Sequence, residues 1–444
     1  MKFFDREDKI EKLRTIREKS RTESQFTVLT GRRRVGKTEL VKRALGDEAF
    51  VYLFVSRKSE VDLVEGYVEE TNRVFPEALS SEIRTLSGFF KELFKLASTR
   101  AITVFIDEFQ EFRKVNASTF SILQELWDRN HDRIKLNLVV CGSINTLMNK
   151  IFFGRKEPLY GRQTAFVRLE PFSTSVLKEI LRFHKKNFAP EDLLALWALT
   201  GGVAKYVALL MDAGATDLDA MLKVVLDEDS FFLEEGRILL GDEFGKDYSV
   251  YFSILSAIAR GVTSRNDIEQ VVGRQIGGYL TRLEDDYHLV SKRVPFGAKT
   301  MRLVRYQIDD SFYRVWFRFI FKYEQMVQMK SFTLLRKLVK RDYPAFSGFA
   351  LESFFRLCYA ESGCWTKLGN WWDRKGENEI DLIAENELDG QFIVAEIKRE
   401  KRRIDLEVLR NKFAVFAKTR GKGDVPDPKF IALSLEDIKG PAPN

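Results

Sequence analysis

The sequence reads as α/β in several domains, and three observations carry that reading. A glycine-bracketed basic loop stands between an apolar strand and a helix at residues 25–40. Further short apolar runs alternate with helical segments as far as residue 172. Near the C-terminus an acidic residue in one apolar run is followed by Glu-x-Lys at the end of the next. At 444 residues the chain exceeds one ordinary core, and about three domains is the expectation.

The loop has the most specific physics. In Gln25 to Leu40, QFTVLTGRRRVGKTEL, Phe26, Val28 and Leu29 with Thr27 and Thr30 suit a buried strand. Gly31 opens the pattern G-x-x-x-x-G-K-[ST], which closes on Gly36, Lys37 and Thr38, and Leu40, Val41 and Leu45 continue at helical spacing. Glycines let backbone N–H groups turn inward around phosphate oxygens, and the following helix points its positive end at them. Gly31, Arg34, Val35, Gly36, Lys37, Thr38 and Glu39 are the candidate nucleotide contacts. Lys37 would reach the β- and γ-phosphates, and the Thr38 hydroxyl would ligate Mg²⁺. ATP and Mg²⁺ are the expected cofactors. The competing reading is a basic turn between two glycines.

Composition narrows the class. Hydrophobic residues make up 45%, as in a globular protein, and no apolar run is long enough to span a membrane. The opening MKFFDRED lacks a signal peptide's apolar core, so a cytoplasmic protein is expected. Cys141, Cys358 and Cys364 imply no disulfide framework. His131, His184 and His288 are too few for a His/Cys zinc cluster. A net charge of +7 and a pI near 9.0 permit nucleic-acid binding without requiring it.

Taken in order, Phe4 to Glu7 precede an amphipathic helix carrying Ile10, Leu13 and Ile16, and Phe50 to Val55 (FVYLFV) reads as a second buried strand. Ile102 to Gln110, ITVFIDEFQ, is an apolar strand running into Asp107 and Glu108. Beside a phosphate loop, Asp107 would hold Mg²⁺ through water or Thr38, and Glu108 would orient and deprotonate the attacking water. The alternative is an acidic pair capping the next helix. Leu136 to Val140 is another strand, ending in Cys141, Gly142, Ser143 and Ile144. Ser143 is the candidate γ-phosphate sensor, or else the cap of the next helix.

With PLYGR at Pro158 to Arg162 and TGGVAKYV at Thr200 to Val207, this order of motifs resembles the archaeal-type P-loop ATPase family, related to the AAA+ and STAND proteins. The likeness covers about the first half of the chain. It implies that Arg162 reads the γ-phosphate, and that Gly201, Gly202 and Lys205 belong to a helical lid beside the nucleotide. Read from the residues alone, Arg162 is as well explained by a surface salt bridge. The family usually has proline where this chain has Ala204. Leu193 to Val225 is helical by spacing and forms the expected lid. Asp227 to Asp247, charged and glycine-containing, reads as an inter-domain passage.

From Tyr251 to Ile308 the pattern changes to three short helices, around Phe252–Ile258, Ile268–Val272 and Ile276–Leu283. LVSKRVPF, a turn at Gly297 and MRLVRYQI come next. That is the outline of a winged helix-turn-helix. Arg274, Gln275, Thr281 and Arg282 fall off the apolar stripe of the third helix, and the hairpin adds Lys292, Arg293, Lys299, Arg302 and Arg305. Phosphate contact along a DNA groove is one reading, and docking of a protein is the other. Ser311 to Met329 is aromatic-rich and helical, and Phe312, Trp316, Phe317, Phe319 and Phe321 together call for burial between domains.

In the last hundred residues a helix beginning at Gly348 carries Glu352, a strand carries Asp381, and QFIVAEIKRE carries Glu396 and Lys398. Strand alternation puts Glu396 and Lys398 on one face. This is the minimal kit of a PD-(D/E)XK-type nuclease. Asp381 and Glu396 would bind Mg²⁺, Glu352 would add a ligand, and Lys398 would lower the nucleophile's pKa or neutralise charge. The segment resembles the domain of unknown function that accompanies such ATPases, which implies a restriction-endonuclease-like fold.

The fold class expected is therefore α/β. It comprises a P-loop ATPase core (1–172), a helical lid (173–245), a winged helix-turn-helix (246–310), connecting aromatic helices (311–345) and a nuclease-like α/β domain (346–444). The expected function is an ATP-hydrolysing switch coupled to DNA binding and to Mg²⁺-dependent cleavage. The alternative is a regulatory ATPase whose last domain binds nucleic acid or protein without cutting. Double-stranded DNA is the expected partner, with a protein partner or a second copy open and no membrane.

Overall fold

Five strands form the sheet that carries the loop: β1 (Gln25–Gly31), β2 (Val51–Phe54), β3 (Ile102–Asp107), β4 (Leu136–Cys141) and β5 (Ala165–Leu169). They pair in parallel in the order β2-β3-β4-β1-β5. The computed structural model describes residues 2–46, 48–143, 145–244, 247–298, 303–420 and 426–440. The chain divides into two units, Phe4–Pro171 and Phe172–Asn444 with Met1–Phe3.

In the first unit β1, β3 and β4 are buried on both faces, as a parallel sheet covered by helices requires. Alternate side chains feed two apolar layers. Phe26 and Val28 join an aromatic layer with Phe89, Phe90, Phe109, Trp127 and Phe152. Leu29 joins the opposite layer with Leu13, Leu40, Val41 and Leu45. Each fully buried side chain of this size contributes about 1.5–3 kcal/mol. The register Leu29↔Cys141 and Ile106↔Val140 brings Gly31, Asp107 and Cys141 to one edge, at the carboxyl ends of the strands. Ligands of open α/β sheets bind at that edge.

The second unit begins with the helices expected to form the lid. Helix Pro190–Thr200 is buried almost throughout and ends at Gly201, whose φ is 57°. Gly202, at φ 75°, lies so close to Phe172 that a Cβ would run into its carbonyl, and Phe172 N–H donates to Gly202 O at 2.7 Å. Ala204 is the first residue of the next helix, Ala204–Asp212. Proline also suits that position, so the departure there does not disturb the helix start.

The stretch expected to be an inter-domain passage is instead largely a helix, Phe231–Phe244. Phe232, Leu233, Leu240 and Phe244 are buried. Gly236 is not a break, because the Trp316 indole lies where its Cβ would stand, and Trp316 Nε1 donates to Leu233 O at 2.9 Å. The aromatic stretch buries Phe312, Trp316, Phe317 and Phe319 in a broken helical run. The helix expected to begin at Gly348 starts earlier. It runs from Phe332 to Glu361 with Pro344 inside it. No helix among the described residues is long and apolar enough to cross a membrane.

Helices Tyr248–Ala259, Arg265–Val272 and Gly277–Thr281, the last prolonged by a wide turn to Asp286, precede an antiparallel pair of β6 (Val290–Arg293) and β7 (Arg305–Ile308). The C-terminal sheet contains β8 (Lys367–Trp372), β9 (Glu379–Asn386), β10 (Gln391–Lys398) and β11 (Lys429–Ser434), in the order β11-β10-β9-β8. Only the β10–β11 pair is parallel, with helix Leu406–Arg420 as its crossover.

Candidate functional site

At the edge of the first sheet, Gly31 leaves β1 with its Cα against the Leu169 carbonyl, where no side chain would fit. Arg34 (φ 72°) and Gly36 (φ 99°) bend the loop, and Gly36 caps helix Lys37–Leu45. Val35 is buried in the apolar layer below. The Glu39 carboxylate turns away to Arg43 at 2.6 Å, leaving its backbone in the helix's first turn. Lys37 is buried, and its Nζ donates to Gly31 O at 2.8 Å and Arg32 O at 3.1 Å, inside the loop. Burial holds this ammonium below the usual lysine range, against the pull of Cys141, Glu108 and Asp107.

Thr38 Oγ1 donates to Asp107 Oδ2 at 2.7 Å, so loop and strand tip meet as expected. Asp107 is fixed from three further sides. Tyr52 O–H donates to Oδ2 at 3.2 Å, and the Cys141 thiol and Glu108 N–H both donate to Oδ1 at 2.9 Å. Burial, then Asp107, pushes the Cys141 thiol well above its usual range, so it stays a donor. Glu108 sits at φ 54°. Its Oε2 accepts from Ser143 Oγ at 2.7 Å and Gln110 Nε2 at 2.5 Å. Tyr52, Cys141 and Gln110 were not singled out from sequence, although all three lie in the strand runs that were. Hard oxygen donors at Thr38 and Asp107, beside a buried lysine and a glycine-bent loop, fit a magnesium-bound nucleoside triphosphate.

Arg162 is not brought to the loop. Its fork holds Asp128, Nε to Oδ1 and NH2 to Oδ2 both at 2.8 Å, and NH1 donates to the Pro158 and Tyr160 carbonyls.

A second polar group lies on the C-terminal sheet. The β9–β10 register Leu382↔Ala395, continued by one residue, sets Asp381 opposite Glu396. Lys398 Nζ stands between them, 3.0 Å from Asp381 Oδ2 and 2.9 Å from Glu396 Oε1. Lys412, from the crossover helix, takes Glu396 Oε2 at 2.9 Å, and Ile397 N–H donates to Asp381 Oδ2 at 2.8 Å. Burial, then Asp381, pushes Glu352 up to about 8. Burial, then Glu396, pushes Asp381 up. Burial opposes the charge of Lys398, yet Asp381 and Glu396 raise its pKa. Among the described residues no group of three or more His, Cys, Asp or Glu gathers closely enough to hold a metal ion. Of the three expected metal ligands, Asp381 and Glu396 have Lys398 between them.

Arg274, Gln275, Thr281 and Arg282 are exposed. Arg274 and Gln275 lie in the turn before helix Gly277–Thr281 rather than on it as expected, because the helix is shorter than the apolar spacing suggested. Lys292 is held by Glu284 at 2.5 Å, while Arg305 pairs with Glu379 at 2.8 Å and covers the Trp372 ring at 4.4 Å. Lys299 and Arg302 lie outside the described residues.

A parallel sheet whose first strand feeds a glycine-bent loop, with an Asp–Glu strand tip beside it, defines a P-loop nucleoside triphosphatase. Residues 3–210 match the family of ATPase domains predominantly from Archaea. Residues 316–409 match a family described as archaeal and bacterial proteins of unknown function. An uncharacterized protein of Methanocaldococcus jannaschii, MJECL04, is 28% identical over 410 residues, covering 89% of this chain and 87% of that one. Among solved structures, the Walker-type ATPase PABY2304 of Pyrococcus abyssi is similar with a TM-score of 0.54 at 20% identity, over 71% of this chain and 96% of that one. The Aeropyrum pernix ORC2 protein, solved in ADPNP–ADP complexes, gives 0.51 at 14%, over 73% and 94%. These two likenesses show the fold.

Proposed function

We propose that the chain is an ATP-hydrolysing switch whose second unit binds double-stranded DNA. The observation that carries the nucleotide half is the 2.7 Å contact of Thr38 with Asp107 at the mouth of the Gly31–Thr38 loop. Lys37 would exchange its loop carbonyls for β- and γ-phosphate oxygens. Thr38 and Asp107 would hold Mg²⁺, which when bound neutralises charge on those phosphates. Glu108, released from Ser143 and Gln110, would orient the attacking water and take its proton. Lys37→Ala should abolish ATP binding, and calorimetric titration with ATP tests it.

Three helices followed by an antiparallel pair support a winged helix-turn-helix, and the exposed Arg274 and Arg282 suit phosphates. Arg305 and Lys292 are already engaged, so Arg274 and Arg282, flanking the third helix, are the better candidate contacts. Arg274→Glu with Arg282→Glu should weaken duplex binding and flatten its salt dependence, since fewer counterions are released. An unchanged salt slope would assign the segment to protein docking.

The β9–β10–β11 topology and the placing of Asp381, Glu396 and Lys398 favour a second reading, a nuclease-like domain that acts on the bound DNA. The lysine-filled geometry supports grip more directly than cleavage. Nicking of plasmid DNA in Mg²⁺ and ATP, lost in Asp381→Asn, would establish cleavage.

A further inference from the structure

A cationic side chain withdrawn from water and lacking a hydrogen-bonded counter-charge is unusual, because burial of an unpaired charge is costly. Among the described residues Arg356 is such a group. It lies on helix Phe332–Glu361 one turn after Glu352, on the same face. It is only partly exposed, and its Nε has no hydrogen-bond partner among the described residues. Burial, then the neighbouring Arg293 charge, holds it below the usual arginine range, and Glu352, Asp381 and Glu379 compensate it through space only. Arg293 closes β6, and its Nε is likewise buried without a partner among the described residues. Its NH2 reaches Asp309 Oδ1 only at 3.4 Å. Opposite Arg293 on β7, Arg305 is anchored to Glu379, two residues before Asp381. The hairpin is thus fastened to the C-terminal sheet beside its polar group.

We propose that Arg293 and Arg356 form a clamp for one phosphate of the DNA backbone, joining the exposed third helix to the C-terminal sheet as a single binding track. Two guanidinium groups that repel each other, with donors unused, suit an oxyanion that accepts from both forks. A protein carboxylate would satisfy one fork, whereas a tetrahedral phosphate offers oxygens to two. The proposal rests on the DNA-binding reading given above.

The test is binding of the full chain to a short mixed-sequence duplex, in EDTA and without nucleotide, across a salt series. Arg356→Met together with Arg293→Gln should lower the slope of log K against log salt by about 0.9, the value for one phosphate contact, and Arg356→Met alone should lower it by less and weaken binding several-fold. Its melting temperature should hold or rise, because a buried charge held without a hydrogen-bonded counter-charge has gone. Arg356→Lys should keep the slope. If Arg356→Met fails to fold, Arg293→Gln on the hairpin carries the same measurement. A parental slope in both Arg356→Met and Arg293→Gln overturns the clamp. So does a lower melting temperature with unchanged binding, which marks a structural arginine. If Arg274→Glu with Arg282→Glu weakens binding while Arg356→Met does not, only the clamp falls. A parent chain that binds no duplex overturns the clamp and the DNA-binding reading together.

Discussion

Ser143 Oγ donates to Glu108 Oε2 at 2.7 Å, on the same oxygen that Gln110 Nε2 reaches at 2.5 Å. The candidate base is thus held at the strand edge by two neutral donors. Glu108→Gln keeps the shape and loses the base, so it should bind ATP with near-parental affinity. Turnover should fall about 10²–10⁴-fold. Measuring phosphate release beside nucleotide affinity checks this, and parental turnover would remove Glu108 from the role.

Asp107 receives four donors, from Thr38, Tyr52, Cys141 and Glu108 N–H. Tyr52→Phe and Cys141→Ala each remove one, at about 1 kcal/mol. The expected result is a several-fold rise in the Mg²⁺ concentration needed for half-maximal hydrolysis, with metal-free ATP affinity unchanged. Cys141→Ser keeps a donor and should stay nearer the parent. Equal losses with and without Mg²⁺ would show that these residues support the fold and not the carboxylate.

Gly236 carries a prediction about stability. Any Cβ there meets the Trp316 indole, which is buried and tied by its N–H to Leu233 O. Gly236→Ala should cost about 1–3 kcal/mol through overpacking, despite alanine's better helix propensity. Thermal melts decide it: an unchanged or raised melting temperature would mean that the indole moves freely.

That glycine also shows where sequence reading stops. The loop was legible because G-x-x-x-x-G-K-T constrains one continuous backbone. Asp107 and Glu108 were legible because the tip of an apolar strand places the next two residues at the sheet edge. Tyr52, Cys141 and Lys412 reach their partners across strands or from a crossover helix, and spacing alone does not say which neighbour receives them. Gly236 looks like a break in the sequence because the ring that needs its missing Cβ lies eighty residues later in the chain. Arg162 was suggested by resemblance, and its bidentate hold on Asp128 depends on a helix whose placement no local pattern encodes.

Lys398 offers the sharpest test of the C-terminal group. It separates Asp381 from Glu396, both buried, by 3.0 Å and 2.9 Å contacts. Lys398→Gln leaves two facing carboxylates, with Lys412 still paired to Glu396 and Arg356 acting on Asp381 through space. Because Lys398 is itself partly exposed, the loss should be about 1–2 kcal/mol at neutral pH. Asp381 is already raised by burial and Glu396, and losing Lys398 raises it further. A carboxyl whose folded pKa lies above its unfolded value keeps its stability below the unfolded value and loses it as pH climbs through the folded one. The melting-temperature gap between parent and variant should therefore be small near the usual aspartate range and widen toward neutral pH. In a Lys37→Ala background without nucleotide, Mn²⁺ should narrow the gap if the freed carboxylates bind a cation, because binding stabilises only the folded state. A gap independent of pH would mean that Lys398 acts by packing alone. A pH-dependent gap that Mn²⁺ leaves untouched would deny the pair any metal affinity and end the cleavage reading, with the lysine-bridged carboxylates remaining as a fixture of the sheet.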